Sequence, residues 1–229
     1  MQIGGFQKFS MIDYPDKLCA IIFTQGCNFK CPYCHNPELN HHQNTKELIN
    51  ENDIIDFLKT RIKKLDAVVI SGGEPTLQPN LISFIKKIKE MGFLVKLDTN
   101  GSQPHIIKKL LEDNLLDYIA MDIKSPLEKY EYYTKNTIST KAIKQSIDLI
   151  KNSNIKYEFR TTITKEELNI NDFIEIGKIL NNAKLYYLQK FTPTKTLNKD
   201  FLNVPHPSDE ELLQIKKAIK PYIRQIEIR

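Results

Sequence analysis

Residues 67–75 read AVVISGGEP. The first four are apolar and mostly β-branched, and the run stops at a serine, two glycines and a glutamate. A short, continuous apolar run of this kind predicts a strand buried on both faces, as strands of parallel sheets are. It also predicts polar groups just beyond the strand's carboxyl end, at Gly72, Gly73 and Glu74.

The same unit recurs on both sides. CAIIFT (19–24), FLVKLDTNG (93–101), DYIAMDIKS (117–125), IKYEFRTTIT (155–164) and LYYLQKF (185–191) each read as a strand. Amphipathic stretches alternate with them. One helix is predicted from about Thr45 to Lys63, with Leu48, Ile49, Ile54, Ile55, Leu58 and Ile62 as its apolar positions. LISFIKKIKEM (81–91) is a second, stopped by Gly92. Pro104 opens a third, reaching about Asn114, since proline suits the first turn. Others are predicted around 138–152 and near 170–182. Ser208 and Glu211 have capping-box spacing before a last helix to about Ile219. IRQIEI (223–228) alternates like a short terminal strand. A β-α unit repeated about six times predicts an α/β fold of parallel strands joined by right-handed crossovers. One domain is expected over 1–229, with a core of about 17–191 and a loop and helix over 192–229. The longest irregular stretch, TPTKTLNKDFLNVPHP (192–207), is either a functional loop or a flexible one.

Composition narrows the classes. The chain of 229 residues is 41% hydrophobic and 27% charged, which is a globular profile. Its 33 basic and 28 acidic groups leave a net charge of +5, and the lysines fall among apolar residues at helical spacing. They read as solvated helix faces, so no nucleic-acid partner is expected. No run approaches the roughly 18–20 apolar residues needed to span a bilayer, and the N-terminus lacks a signal-peptide core. The expectation is a cytoplasmic protein with no membrane partner. Thiols there stay reduced, so clustered cysteines point to a metal or redox centre.

Ligands of parallel α/β folds bind beyond the carboxyl ends of the strands. CAIIFT leads into TQGCNFKCPYCHN (24–36), which carries Cys27, Cys31 and Cys34. FLVKL leads to Asp98, Thr99 and Asn100, and DYIAM to Asp122 and Lys124. The strand period of two puts Glu158, Arg160 and Thr162 on one face. Charged groups inside a barrel need a ligand or partner. Three cysteines are one short of a structural zinc site. His35 is adjacent to Cys34 and poorly placed to be a fourth ligand. A catalytic zinc would be a weak Lewis acid with three thiolates. A [4Fe–4S] cluster with one open iron explains the count. Cys19, at the start of a strand, reads as an inert buried thiol. His41, His42 and His206 read as plain loop residues.

Cys27-x3-Cys31-x2-Cys34, with aromatic Tyr33 before the last cysteine, resembles the signature of radical S-adenosylmethionine enzymes. SGGEP (71–75) resembles that superfamily's motif for the cofactor's amino group. The resemblance runs from about Gly4 to Phe191 and implies a partial (βα)6 barrel, a single [4Fe–4S] cluster and S-adenosylmethionine. FQKFSMIDYPDKLCAIIFTQGCNFKCPYCHNPEL (6–39) is similar to the N-terminal segment of activating proteins for anaerobic ribonucleoside-triphosphate reductase. LDTNG (97–101) and MDIK (121–124) are similar to segments of that group and of pyruvate formate-lyase activase. One departure is Asp16, where such proteins usually carry glycine.

That resemblance implies an oxidoreductase that cleaves S-adenosylmethionine reductively and leaves a glycyl radical on a partner enzyme, with a flavodoxin- or ferredoxin-type electron donor. It implies that Asp98, with the Gly72–Glu74 segment, accepts from the cofactor amine. It implies that Asp122 holds the ribose hydroxyls, that Lys124 pairs with the methionine carboxylate, and that Tyr33 and the backbone near Asn36 line the adenine pocket. Arg160 has two readings: it holds the carboxylate, or it neutralises Glu158. Asp122 and Lys124 also have the simpler reading of a barrel ion pair. Two other functions fit parts of the pattern. One is a small-molecule radical enzyme similar to 7-carboxy-7-deazaguanine synthases. The other is a non-enzymatic iron–sulfur electron carrier, which leaves Asp98 and Lys124 without a role.

Overall fold

The computed structural model describes residues 1–40, 48–164, 168–192 and 194–229. The N-terminal strand β1 (Ile3–Ser10) runs antiparallel to β2 (Cys19–Thr24). The cysteine loop and a short helix α1 (Pro37–Asn40) follow. The chain then alternates through α2 (Glu51–Lys59), β3 (Ala67–Gly72), α3 (Leu81–Glu90), β4 (Leu94–Thr99), α4 (Pro104–Glu112) and β5 (Tyr118–Asp122). A short α5 (Tyr130–Thr134) precedes α6 (Thr140–Lys151), β6 (Lys156–Ile163), α7 (Ile170–Ile179), β7 (Tyr186–Lys190), α8 (Asp209–Ile219) and β8 (Ile226–Ile228). The eight strands form one sheet in chain order, and β2 to β8 pair in parallel. β1 and β8 are its two edges, so the sheet is a partial barrel and stays open.

Alternation sorts the strands' side chains. Val68 and Ile70 of β3, Val95 and Leu97 of β4, and Ile119 and Met121 of β5 face the helices in the main core. Cys19, Ile21, Ala67, Val69 and Tyr118 face inward and join Tyr14 in a second, smaller cluster. That cluster plugs one end of the barrel. One residue pair further along each strand the inward positions turn polar: Ser71, Asp98, Asp122 and Arg160. The register sets Asp122 directly beside Arg160 on the neighbouring strand. Cys19 is fully buried in the plug, its Sγ 3.6 Å from the Ser10 carbonyl, as an inert thiol would be.

The described elements differ from expectation at several ends. β1 carries two adjacent glycines, which read as a breaker in sequence. Gly4 is needed there because a Cβ would meet Gln25 Oε1 at 2.3 Å. The helix predicted from Thr45 starts at Glu51. Asn50 caps it by accepting from Asn52 N, and Ile49 N is drawn to the Ile3 carbonyl at 2.9 Å. Residues 41–47, with His41 and His42, lie outside the described ones. The Ser208–Glu211 capping box forms as the spacing predicts.

Asp16 stands in the left-handed region at φ 59°. Glycine is at ease there, aspartate tolerates it, and a β-branched residue does not. Asp16→Gly is expected to keep unfolding stability within about 1 kcal/mol of the parent. Asp16→Val is expected to lose about 1–2 kcal/mol in urea denaturation. Equal midpoints for Val and Asp would show that this turn is not left-handed.

Candidate active site

The cysteine loop leaves β2 through Gly26, at φ 94°. Gly26 N donates to the Leu39 carbonyl at 2.7 Å, and Asn40 Nδ2 to the Phe29 carbonyl at 2.7 Å, which ties the loop to α1. Phe29 and Tyr33 point into the main core and are buried. Lys30 N donates to the Thr134 carbonyl at 2.7 Å. The loop is thus fixed from three sides. Cys31 is buried, and Cys27 and Cys34 are half-buried, all as free thiols. Phe29 N lies 3.3 Å from Cys27 Sγ and Asn100 Nδ2 3.9 Å from it. Burial pushes the Cys27 thiol up to about 12 and that of Cys31 up to about 11.

The turn after β3 is built on close backbone approach. Gly72 has φ 115°, and a Cβ on it would meet Thr24 N at 2.3 Å. A Cβ on Gly73 would meet the Gly26 carbonyl oxygen at 2.1 Å. Gly73 N donates to the Thr24 carbonyl and Glu74 N to the Gly26 carbonyl, both at 2.8 Å. Glu74 is fully buried. Its Oε1 accepts from Thr76 N at 3.0 Å, from the Thr76 hydroxyl and from the Thr99 hydroxyl at 2.7 Å; its Oε2 accepts from Asn100 N at 2.6 Å. Burial raises this carboxyl above its ordinary value, and those bonds oppose the rise. The Glu74 carboxylate therefore joins the ends of β3 and β4.

Opposite this turn lies a buried charge cluster. Arg160 Nε bonds Asp122, and its Nη2 is 3.3 Å from Asp98 Oδ2. Lys96 Nζ is 3.3 Å from Asp98 Oδ1, and Lys124 Nζ is 3.1 Å from Asp122 Oδ2. Burial alone would raise both carboxyls, but Arg160 holds both below the ordinary range, with Lys96 assisting at Asp98 and Lys124 at Asp122. Burial alone would lower the two cations; Asp122 foremost reverses this and raises Lys124 and Arg160. Arg160 reaches Glu158 only at long range. Its Nη1 is 3.9 Å from Glu158, which Arg229 and the Tyr118 hydroxyl serve at 2.8 Å each. Arg160 instead bridges Asp98 and Asp122.

Cys27, Cys31, Cys34, Tyr33, Asn36, Gly72, Gly73, Glu74, Asp98, Asp122, Lys124 and Arg160 all line one cavity of about 400 Å³. A larger groove of about 910 Å³ beside α4 and α6 contains none of them. Thr99 and Asn100, named from sequence at the end of FLVKL, line this cavity too. Asn40 also lines it and was not singled out from sequence. His35 also lines the cavity, and its ring stacks on Phe191 with centroids 5.2 Å apart.

The donor set discriminates among metals. Among the described residues no three His, Cys, Asp or Glu side chains converge on a point that a single ion could take. A cubane cluster asks for something else, one thiolate per iron. Of the buried polar atoms facing this region, Tyr33 Oη makes no hydrogen bond, and Asp98 Oδ1 has the Lys96 ammonium at 3.3 Å as its ion-pair partner. Buried polar atoms without partners are rare, and the Tyr33 hydroxyl is suited to a polar ligand. The residues present fit a cluster with a polar organic cofactor beside it.

Residues 21–179 match the Radical SAM superfamily. The chain belongs to that family. Membership implies a [4Fe–4S] cluster and S-adenosylmethionine. The chain is 39% identical, over 99% of its length and 95% of the relative's, to a putative glycyl-radical enzyme activating enzyme of Methanocaldococcus jannaschii. It is 25% identical to a pyruvate formate-lyase-activating enzyme of Clostridium pasteurianum, over 98% of each chain. QueE from Escherichia coli shares the fold with a TM-score of 0.59 at 13% identity, over 98% of this chain and 92% of that one. No helix among the described residues is long and apolar enough to cross a membrane.

The internal bonding of Glu74 generates a prediction about the protein without cofactor. Glu74→Gln replaces one carboxylate oxygen by an amide donor, which then faces either the Thr76 or the Asn100 N–H. Unfolding stability is expected to fall by about 1–3 kcal/mol. Unchanged stability in urea denaturation would remove Glu74 as the tie between strand ends.

Proposed function

We propose that this radical SAM enzyme is an activase that generates a glycyl radical on a partner enzyme, most specifically an anaerobic ribonucleoside-triphosphate reductase. The observation that carries the reading is that three thiols and the Asp98–Arg160–Asp122–Lys124 charge set line one cavity. An electron carrier needs the thiols and has no use for the charge set. The full-length similarity to proteins named as activating enzymes supports a macromolecular substrate. The N-terminal segment 6–39 is what favours the reductase among possible partners.

In this reading Cys27, Cys31 and Cys34 hold three irons of the cluster. When bound, the cluster and S-adenosylmethionine supply one-electron cleavage of the sulfonium and the radical that abstracts hydrogen. The protein's task is to bind, orient and exclude. Asp98, with the backbone of Gly72–Glu74, accepts hydrogen bonds from the cofactor's amine. Asp122 takes the ribose hydroxyls, and Lys124 offers its charge to the carboxylate. Arg160 orients Asp98 and Asp122 and keeps both ionised at neutral pH. Tyr33 and the backbone at Asn36 border the adenine. The electron comes from a flavodoxin- or ferredoxin-type donor.

The test is anaerobic. The protein is reconstituted with iron and sulfide, reduced, and mixed with S-adenosylmethionine. 5′-Deoxyadenosine is expected, and it disappears with Cys31→Ala, which loses the cluster, while Cys19→Ala keeps both. With an anaerobic reductase present, the electron paramagnetic resonance doublet of a glycyl radical is expected. A well-formed cluster with no cleavage, even with the reductase, would overturn the enzymatic reading. A radical on pyruvate formate-lyase and none on the reductase would change the partner.

A further inference from the structure

The chain after β7 lies beyond the residues that match the superfamily, which end at 179. It nevertheless closes on the cysteine loop. Phe191 meets the Tyr33 ring edge-on with centroids 6.4 Å apart, and Phe201 meets it at 6.2 Å. Phe191 and Phe201 also meet each other edge-on at 6.4 Å. His35 stacks on Phe191 with 9° between the planes. Asn198 N donates to the Pro32 carbonyl at 2.9 Å. His206 Nδ1 is 2.7 Å from the Phe191 carbonyl; a carbonyl only accepts, so Nδ1 carries the proton. One segment therefore grips residues 32, 33 and 35, on both sides of Cys34.

We propose that this segment is a clasp, with Phe201 and His206 as positioning residues, that fixes the loop from Cys31 to Cys34 and keeps water from its inner side. The part that concerns the cluster rests on the functional reading above; the part that concerns the loop does not. Tyr33 is buried and its hydroxyl makes no hydrogen bond. Ring packing therefore sets where its side chain sits, and two of the rings come from the clasp. His206 holds Phe191 in register by its backbone, so it acts on Tyr33 and His35 at one remove. Phe201 is buried, while Leu202 and Asn203 beside it are exposed. Deleting the Phe201 ring opens a path for water toward the thiols. Water dipoles near an iron–sulfur cluster favour its more negative, reduced state, and solvent exposure is one of the factors that set its potential.

The experiment compares the full-length parent with Phe201→Ala, Phe201→Leu and His206→Ala. Amide hydrogen exchange is read first, on the protein without cluster. Exchange over residues 28–36 is expected to rise about tenfold or more in Phe201→Ala and less in His206→Ala. Residues 94–99 of β4 should stay at the parent's rate, and Phe201→Leu should return 28–36 toward it. After anaerobic reconstitution, Phe201→Ala is expected to keep its iron and move the cluster's midpoint potential to a more positive value. Parent-like exchange over 28–36 in Phe201→Ala would overturn the clasp. Should Phe201→Ala also speed exchange in β4, His206→Ala decides, because its side chain lies at the surface; parent-like exchange there overturns the proposal too. A parent that takes up no cluster would sink the functional reading, and the exchange results would still decide the clasp.

Discussion

The backbone of Gly73 lies against the backbone of Gly26, and the rest of the site is arranged around that approach. A single methyl group on Gly73 would come within 2.1 Å of the Gly26 oxygen. The two turns share hydrogen bonds from Gly73 N to Thr24 and from Glu74 N to Gly26. Glu74 carries the restraint onward to Thr99 and Asn100 at the end of β4, and Asn100 Nδ2 returns to Asn28 in the cysteine loop at 2.9 Å. Three strand ends therefore move as one body. A thiol loop fixed in this way keeps its shape by protein bonds alone. In that it differs from small zinc modules, which fold only around their metal.

Burying charge so close to the thiols is costly unless every ion has a counter-ion. The cavity meets this condition by bridging. Arg160 serves Asp98 and Asp122, Lys96 takes the free side of Asp98, and Lys124 that of Asp122. The barrel geometry makes this possible, since register sets Asp122 and Arg160 side by side and alternation turns them both inward. Deeper in, Glu158 is held by Tyr118 and by Arg229. The carboxylates facing the cavity are consequently ionised and already oriented, which lowers the reorganisation a cationic, polar cofactor would demand.

Much of this was legible in the sequence because it depends on short-range pattern. AVVIS followed by GGEP gives a buried strand and its polar end, and the same logic finds β2, β4, β5, β6 and β7. The cysteine spacing identifies the loop, and strand period places Asp122 and Arg160 inward. Long-range pairing was not legible. β1 was missed because Gly4 and Gly5 lower strand propensity, while their real role is close packing against Gln25 and Phe23. Arg160 could be placed but its partners could not, because Asp98 and Asp122 are remote in sequence. Glu74 could be assigned to the cavity, yet its bonding to Thr99 and Asn100 needs the fold.

The thiols show how far the protein's own structure departs from what the proposed cluster would need. Burial keeps Cys27 and Cys31 protonated well above neutral pH. A cluster binds thiolates, so on the proposed reading its assembly would release protons into a cavity that already contains Lys124 and Arg160 as cations. The Lys124 charge favours thiolate over thiol, and Asp122 opposes it at Cys31 and Cys34. Asp122 thus tempers how electropositive the thiols' surroundings are. In the proposed reading, ribose hydroxyls on Asp122 would leave more of the field of Lys124, its ion-pair partner at 3.1 Å, on the sulfur side. Cofactor binding and charge at the thiol wall would then be coupled through Lys124.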